Sequence, residues 1–241
     1  MTFCEKYREP FNVAECKRSW FDKIEPMHAV YLDDYYIDRN EITNGDYQIC
    51  VEEGVCSPPE KNSSKTRDEY YGNPEYTDHP VQRINWNQAV VYCEWRGARL
   101  PTEAEWEKAA RGTEGFLYPW GNEFDGLLEN ICGLEGEHLG GLSDTTPVGS
   151  YPDGASPYGT LDMLGNAVEW VADRFQTDYF QESPYENPAG PEAGSQRVIK
   201  GTNYDCLYAH SNLIFMRGGQ FPERAYPYNG FRCASSTKPD N

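Results

Sequence analysis

Apolar residues in this chain fall into a few short periodic blocks separated by long aperiodic stretches. The block from His28 to Arg39 is rich in β-branched and aromatic residues and predicts strand. Thr43, with Asp46 three positions on, reads as a capping box. It opens a helix that carries Tyr47, Ile49, Cys50 and Val51 and stops at Gly54. Residues 57–80 are polar and proline-bearing, which predicts a long surface excursion. Asn85 with Gln88 caps a second helix, in which Trp86, Ala89, Val90 and Cys93 recur at i, i+3, i+4 and i+7 until Gly97 ends it. Thr102 with Glu105 starts a third, Glu103 to Ala110, with Trp106, Ala109 and Ala110 on one side and Arg111-Gly112 as its stop. The tryptophans of these helices read as core packing.

Beyond residue 115 the pattern turns irregular, and Gly, Pro, Asn and Asp recur in Pro119-Trp120-Gly121-Asn122, Pro152-Asp153-Gly154 and Leu164-Gly165-Asn166. Short strands are expected at Arg197–Lys200 and Gly230–Ala234. Residues 1–27 are charged and patternless, so the expected organisation is an N-terminal extension (1–27) and one domain (28–241). No internal repeat, low-complexity tract or linker divides that domain. The expected class is α+β, irregular and loop-rich.

Composition refines this reading. With 18 Tyr and 6 Trp, the core is expected to be aromatic rather than Leu/Val-rich. A net charge of −18 and a pI of about 4.6 repel phosphate backbones and anionic lipid, so nucleic acid is not an expected partner. Such acidity is either a solvated surface or a source of oxygen ligands for Ca²⁺. The eight Cys (4, 16, 50, 56, 93, 132, 206 and 233) show no CxxC and no zinc-finger spacing. Cys50 with Cys56, or Cys4 with Cys16, encloses a loop that a disulfide could close, and the even count favours an oxidising, extracytoplasmic compartment. The first residues carry no apolar stretch, so no signal peptide is expected within them and either a leader was removed or export is by another route; no run reaches the length of a membrane span.

Several segments occur in the order and rough spacing of a known family. They are Tyr36-Ile37-Asp38-Arg39-Asn40-Glu41-Ile42-Thr43-Asn44, His79-Pro80-Val81, Arg99-Leu100-Pro101-Thr102-Glu103-Ala104-Glu105-Trp106-Glu107 and Tyr118-Pro119-Trp120-Gly121-Asn122. They continue with Pro147-Val148-Gly149-Ser150, Gly165-Asn166-Ala167-Val168-Glu169-Trp170, Arg217-Gly218-Gly219 and Gly230-Phe231-Arg232-Cys233. Over about residues 28–236 the chain resembles the formylglycine-generating-enzyme, or sulfatase-modifying-factor, family. The resemblance implies a C-type-lectin-like fold and structural Ca²⁺. One implied metal site comprises Asp162, Gly165, Ala167 and Glu169; a second begins at Asn130-Ile131, with its remaining ligands somewhere in 133–144. A disulfide between Cys93 and Cys233 is implied as well.

Members of that family oxidise a substrate cysteine with O₂ and Cu(I) held by two thiolates of a Cys-x₄-Cys motif. Here the first is Cys206, but the second position is Ser211, and a hydroxyl is no substitute for a thiolate on Cu(I). Copper is therefore not expected, and Cys206 reads as a vestigial catalytic position. Some relatives are variable proteins of diversity-generating retroelements, which display a mutable C-terminal surface on the same scaffold. The tract from Tyr204 to Phe215 sits at that place, lacks helical or strand period, and holds only residue types reachable by varying the adenines of an Asn codon. Ligand contacts are expected from Tyr204, Asp205, Leu207, Tyr208, His210, Asn212, Ile214 and Phe215, with Gln220, Tyr226 and Tyr228 beside them. The expected function is non-catalytic binding of a protein or small ligand. The alternatives are the copper oxidase itself or a pseudo-enzyme.

Overall fold

The computed structural model describes residues 22–131, 143–204 and 213–238. The three helices expected from sequence form where their caps place them: α1 (Asn44–Glu52), α2 (Trp86–Trp95) and α3 (Glu103–Arg111). Each begins at a reciprocal capping box, Thr43 with Asp46, Asn85 with Gln88, and Thr102 with Glu105. In each box the cap side chain accepts the N3 amide and the N3 side chain accepts the cap amide, satisfying donors the helix leaves open. Gly54 and Gly97 follow α1 and α2 with φ of 75° and 72°, a region that glycine enters without strain.

Strands β1 (Tyr36–Ile37), β2 (Val168–Arg174), β3 (Arg197–Lys200), β4 (Arg217–Gln220), β5 (Asn229–Phe231) and β6 (Ala234–Ser235) make two sheets. β1 pairs with β6; the larger sheet has the order β4-β3-β2-β5. β2 runs antiparallel to β3, with Glu169 opposite Lys200, and parallel to β5, with Trp170 opposite Phe231. Its side chains alternate between two cores, one on each face. Trp170 and Phe231 join Tyr47, Ile84, Ala89 and Tyr92 beside α1 and α2, while Val171 and Val198 join Trp106, Ala109, Tyr118 and Met163 beside α3. Aromatic rings are among the largest side chains in both cores, but Leu, Val and Ile are more numerous than the composition implied.

Two strand expectations change. Within His28–Arg39 only Tyr36 and Ile37 enter a ladder, because the backbone before them meets a loop. Tyr31 N–H donates to Tyr185 O and Asp33 N–H to Asn187 Oδ1. Gly230–Ala234 is interrupted at Arg232 and Cys233, whose side chains are drawn inward to Glu169 and Cys93. The 57–80 excursion is also tied down, since Tyr70 is buried and its hydroxyl donates to Pro80 O at 2.6 Å.

Two of the three disulfides raised from sequence form. Cys50–Cys56 and Cys93–Cys233 have Cα separations of 5.3 and 5.6 Å, ordinary for the bond. The second closes a separation of 140 residues and ties α2 to the segment after β5. Cys4, Cys16, Cys132 and Cys206 lie outside the described residues.

Candidate functional site

The centre of the molecule is a buried charge cluster assembled from distant segments. Arg232, fully buried just after β5, uses every guanidinium nitrogen. Its Nε and Nη2 donate to Glu169 at 2.8 and 2.7 Å, Nη2 also to Leu161 O, and Nη1 to Asp38 O and Arg39 O. Glu169 Oε2 additionally accepts Trp106 Nε1–H at 2.8 Å. Glu41 spends its oxygens on Asn166 Nδ2 and the Ala167 amide. Burial pushes the Glu41 carboxyl well above its usual range, with Asp162 and Glu169 adding repulsion. Neither Glu41 nor Asn166 was singled out from sequence; a buried polar residue inside an aperiodic stretch leaves no local signature.

Asp162, Gly165 and Ala167 lie on the turn that leads into β2, and Glu169 is the second residue of that strand. Asp162, Gly165 and Asn166 have φ of 57°, 121° and 59°. A Cβ on Gly165 would lie 2.8 Å from Asn130 O, so this glycine lets the 128–131 segment close onto the turn. Contact is completed by Asn166 N–H to Asn130 O at 3.0 Å and Asn130 Nδ2 to Asn166 Oδ1 at 3.3 Å. The structure thus brings the two sequence-derived metal segments side by side. Asp162 Oδ2 accepts the Gly149 amide at 2.7 Å, while its Oδ1 and Asn130 Oδ1 are buried with no hydrogen-bond partner. Burial raises Asp162 to about 6, against the lowering effects of the Gly149 amide and Arg232.

Such orphaned acceptors fit a hard, oxygen-seeking cation. Two features narrow the fit. Glu169 is already held by Arg232, and among the described residues no three His, Cys, Asp or Glu side chains converge as a metal group. Backbone and amide oxygens would have to complete the shell. Asp144, at the end of the 133–144 segment, lies beside Asn130, whose Nδ2 donates to Asp144 O. Its carboxylate is spent on Ser64, Thr66, the Thr145 amide and Arg67.

The tract from Tyr204 to Phe215 follows β3 by a short turn. Gly201, at φ 75°, turns the chain away with its Cα facing Met163 O and the Trp106 ring. Tyr204 is fully buried and its hydroxyl donates to Pro227 O at 3.1 Å. On the far side Ile214 is fully buried, Phe215 is 8% exposed, and both belong to the core that includes Trp106. Tyr204, Ile214 and Phe215 are therefore corrected from ligand contacts to anchors, because their side chains face inward. Asp205, Cys206, Leu207, Tyr208, His210, Ser211 and Asn212 lie outside the described residues. Beside the anchors, Tyr226 is exposed and stacks on half-buried Tyr228 with centroids 5.4 Å apart. Gln220 accepts Asn229 Nδ2 at 2.6 Å. Phe221, missed from sequence, follows Gln220 and is 49% exposed.

The scaffold and its sequence have known counterparts. Residues 8–237 match the Sulfatase-modifying factor enzyme 1-like domain, a match that begins inside the segment read as an extension. The formylglycine-generating enzyme of Streptomyces coelicolor is 38% identical, covering 87% of this chain and 81% of that protein. Among solved structures, PvdO from Pseudomonas aeruginosa superposes with a TM-score of 0.71 at 25% identity, covering 87% of this chain and 83% of PvdO. Treponema denticola variable protein 1 shares the fold, with a TM-score of 0.69 at 23% identity and 87% of each chain covered. In sequence and in fold alike, this chain belongs to the sulfatase-modifying factor enzyme 1-like family.

Proposed function

We propose that this chain is a non-catalytic ligand-binding domain that displays a C-terminal surface on the formylglycine-generating-enzyme scaffold. One observation carries the reading. Where the resemblance calls for two thiolates, the donor set is Cys206 and Ser211. A thiol and a hydroxyl do not make the soft pair that Cu(I) requires. Nor do the described cysteines offer a replacement, because all of them are in disulfides.

The proposed binding surface is the 205–212 tract, which in sequence lies between buried Tyr204 on one side and buried Ile214 and Phe215 on the other. Asp205, Leu207, Tyr208, His210 and Asn212 are its proposed contacts, flanked by Gln220, Phe221, Tyr226 and Tyr228. Amphipathic aromatic residues supply contact area with a polar tip, which suits a surface that accommodates different ligands. The shared fold with a variable protein is in keeping with this use of the scaffold. Ca²⁺ is proposed as a structural ion held through Asp162, Gly165, Ala167 and Glu169, with Asn130 and Ile131 beside them. When bound, it supplies the positive charge that this carboxylate-rich interior lacks. Two disulfides favour an extracytoplasmic setting, and no helix among the described residues is long and apolar enough to cross a membrane.

The competing reading, an active oxidase, is favoured by the 38% identity to a formylglycine-generating enzyme. Incubating the protein with Cu(I), O₂ and a cysteine-bearing sulfatase peptide separates the two. The peptide is expected to come back unchanged by mass spectrometry; conversion of its cysteine to formylglycine overturns the proposal.

A further inference from the structure

Glu129 presents an unsolved electrostatic problem. It is fully buried, and neither carboxylate oxygen has a hydrogen-bond partner. An ionised carboxylate in that condition costs several kcal/mol, so something must neutralise or ligate it. The cluster around it cannot. Glu41, Glu129, Asp162 and Glu169 are all buried, and Arg232 has no donor left after Glu169 and three carbonyls. Glu41 and Glu169 have found donors; what stays unmet is both oxygens of Glu129, one of Asp162 and the amide oxygen of Asn130.

Local backbone is shaped around this carboxylate. Gly154, buried in the short 3₁₀ turn Pro152–Gly154, has no room for a side chain. A Cβ there would lie 2.1 Å from Leu128 O and 3.2 Å from Glu129 Oε1. Glu129 is thus covered by the 152–154 turn, while its neighbour Asn130 packs on the Asp162–Asn166 turn.

We propose that Glu129 is a further cation ligand, its carboxylate joining the free oxygens of Asp162 and Asn130 on a hard divalent ion of the Ca²⁺ type. Two carboxylates and an amide leave room for backbone and water oxygens, matching the six to eight oxygen ligands, roughly, that Ca²⁺ takes. The inference rests on the calcium reading above but adds a residue to it. A proton on Glu129 is the rival explanation, and glutamine distinguishes them because it mimics the protonated acid.

The test is Ca²⁺ titration by calorimetry, with thermal melts in Ca²⁺ and in EDTA, on the full chain, Glu129→Gln and the surface control Glu123→Gln. Wild type and control are expected to bind Ca²⁺ and melt higher in it. Glu129→Gln is expected to bind at least about tenfold more weakly, while melting in EDTA no lower than wild type, since the repulsion is gone. If Glu129→Gln binds Ca²⁺ as wild type does, the role of Glu129 is overturned and the calcium reading survives. If wild type binds no Ca²⁺, both fall. Should the glutamine variant not fold, Glu129→Asp replaces it; Ca²⁺ affinity equal to wild type would again overturn the role.

Discussion

At the scale of single residues, exposure separates the anchors of the proposed binding surface from its contacts. Tyr204 is fully buried and bonded to Pro227 O, whereas Tyr226 is 39% exposed. Tyr204→Ala is expected to lower stability by about 3 kcal/mol, in the range for losing a large buried ring. Tyr226→Ala should leave stability within about 0.5 kcal/mol. Urea denaturation of the two variants checks the contrast, and equal losses would remove the distinction. Sequence could not make it, because Tyr204 and Tyr226 are the same amphipathic side chain and the tract that Tyr204 opens has no period from which an inward face could be read. Buried Glu41 and Glu129 were equally hidden, since Glu41 is met by Asn166, 125 residues on, and Glu129 by the 152–154 turn, neither of which a local pattern announces.

Among the elements, the helices were the legible part of the fold. Their capping boxes are written in four-residue words, and all three form. Strands β2 and β4 were not legible. β2 is buried over nearly its whole length, so it lacks the alternation that marks a half-buried strand, and β4 contains Gly218 and Gly219, weak strand formers. α3 is fixed to the sheet by buried charge: Arg217 pairs bidentately with Glu103 at 2.7 and 2.8 Å, and Lys200 with Glu107 at 2.9 Å. Asp173 accepts the Glu103 amide at 2.8 Å and is raised by burial, then by Glu103, from 3.8 to about 7. Because the folded value lies above the unfolded one, the folded state holds a proton that the unfolded chain has released across that window. This contribution to stability is full below about pH 4 and is lost as pH rises through about 7. Asp173→Asn keeps the amide acceptor and removes the titration. Its melting temperature is expected to gain on wild type from about pH 5 to about pH 8. A constant difference across that range would contradict the assignment.

For the whole molecule, family resemblance made the architecture legible where local pattern did not, through ordered motifs that converge on the Glu169–Arg232 centre. The Cys93–Cys233 bridge spans 140 residues of that architecture, and simple loop-closure entropy assigns it about 4–5 kcal/mol. Replacing both cysteines by alanine is expected to cost about 2–5 kcal/mol in chemical denaturation. A neutral result would show that the two cores hold the segment without it. The proposed functional departure lies between β3 and β4, where the family resemblance places a thiolate and this chain has Ser211. Side-by-side assay of wild type and Ser211→Cys, loaded with Cu(I) under a competing chelator and offered the sulfatase peptide, addresses it most directly. Wild type is expected to lose Cu(I) to the chelator and leave the peptide unmodified, whereas Ser211→Cys gains Cu(I) retention. Formylglycine produced by the wild-type chain would contradict the account.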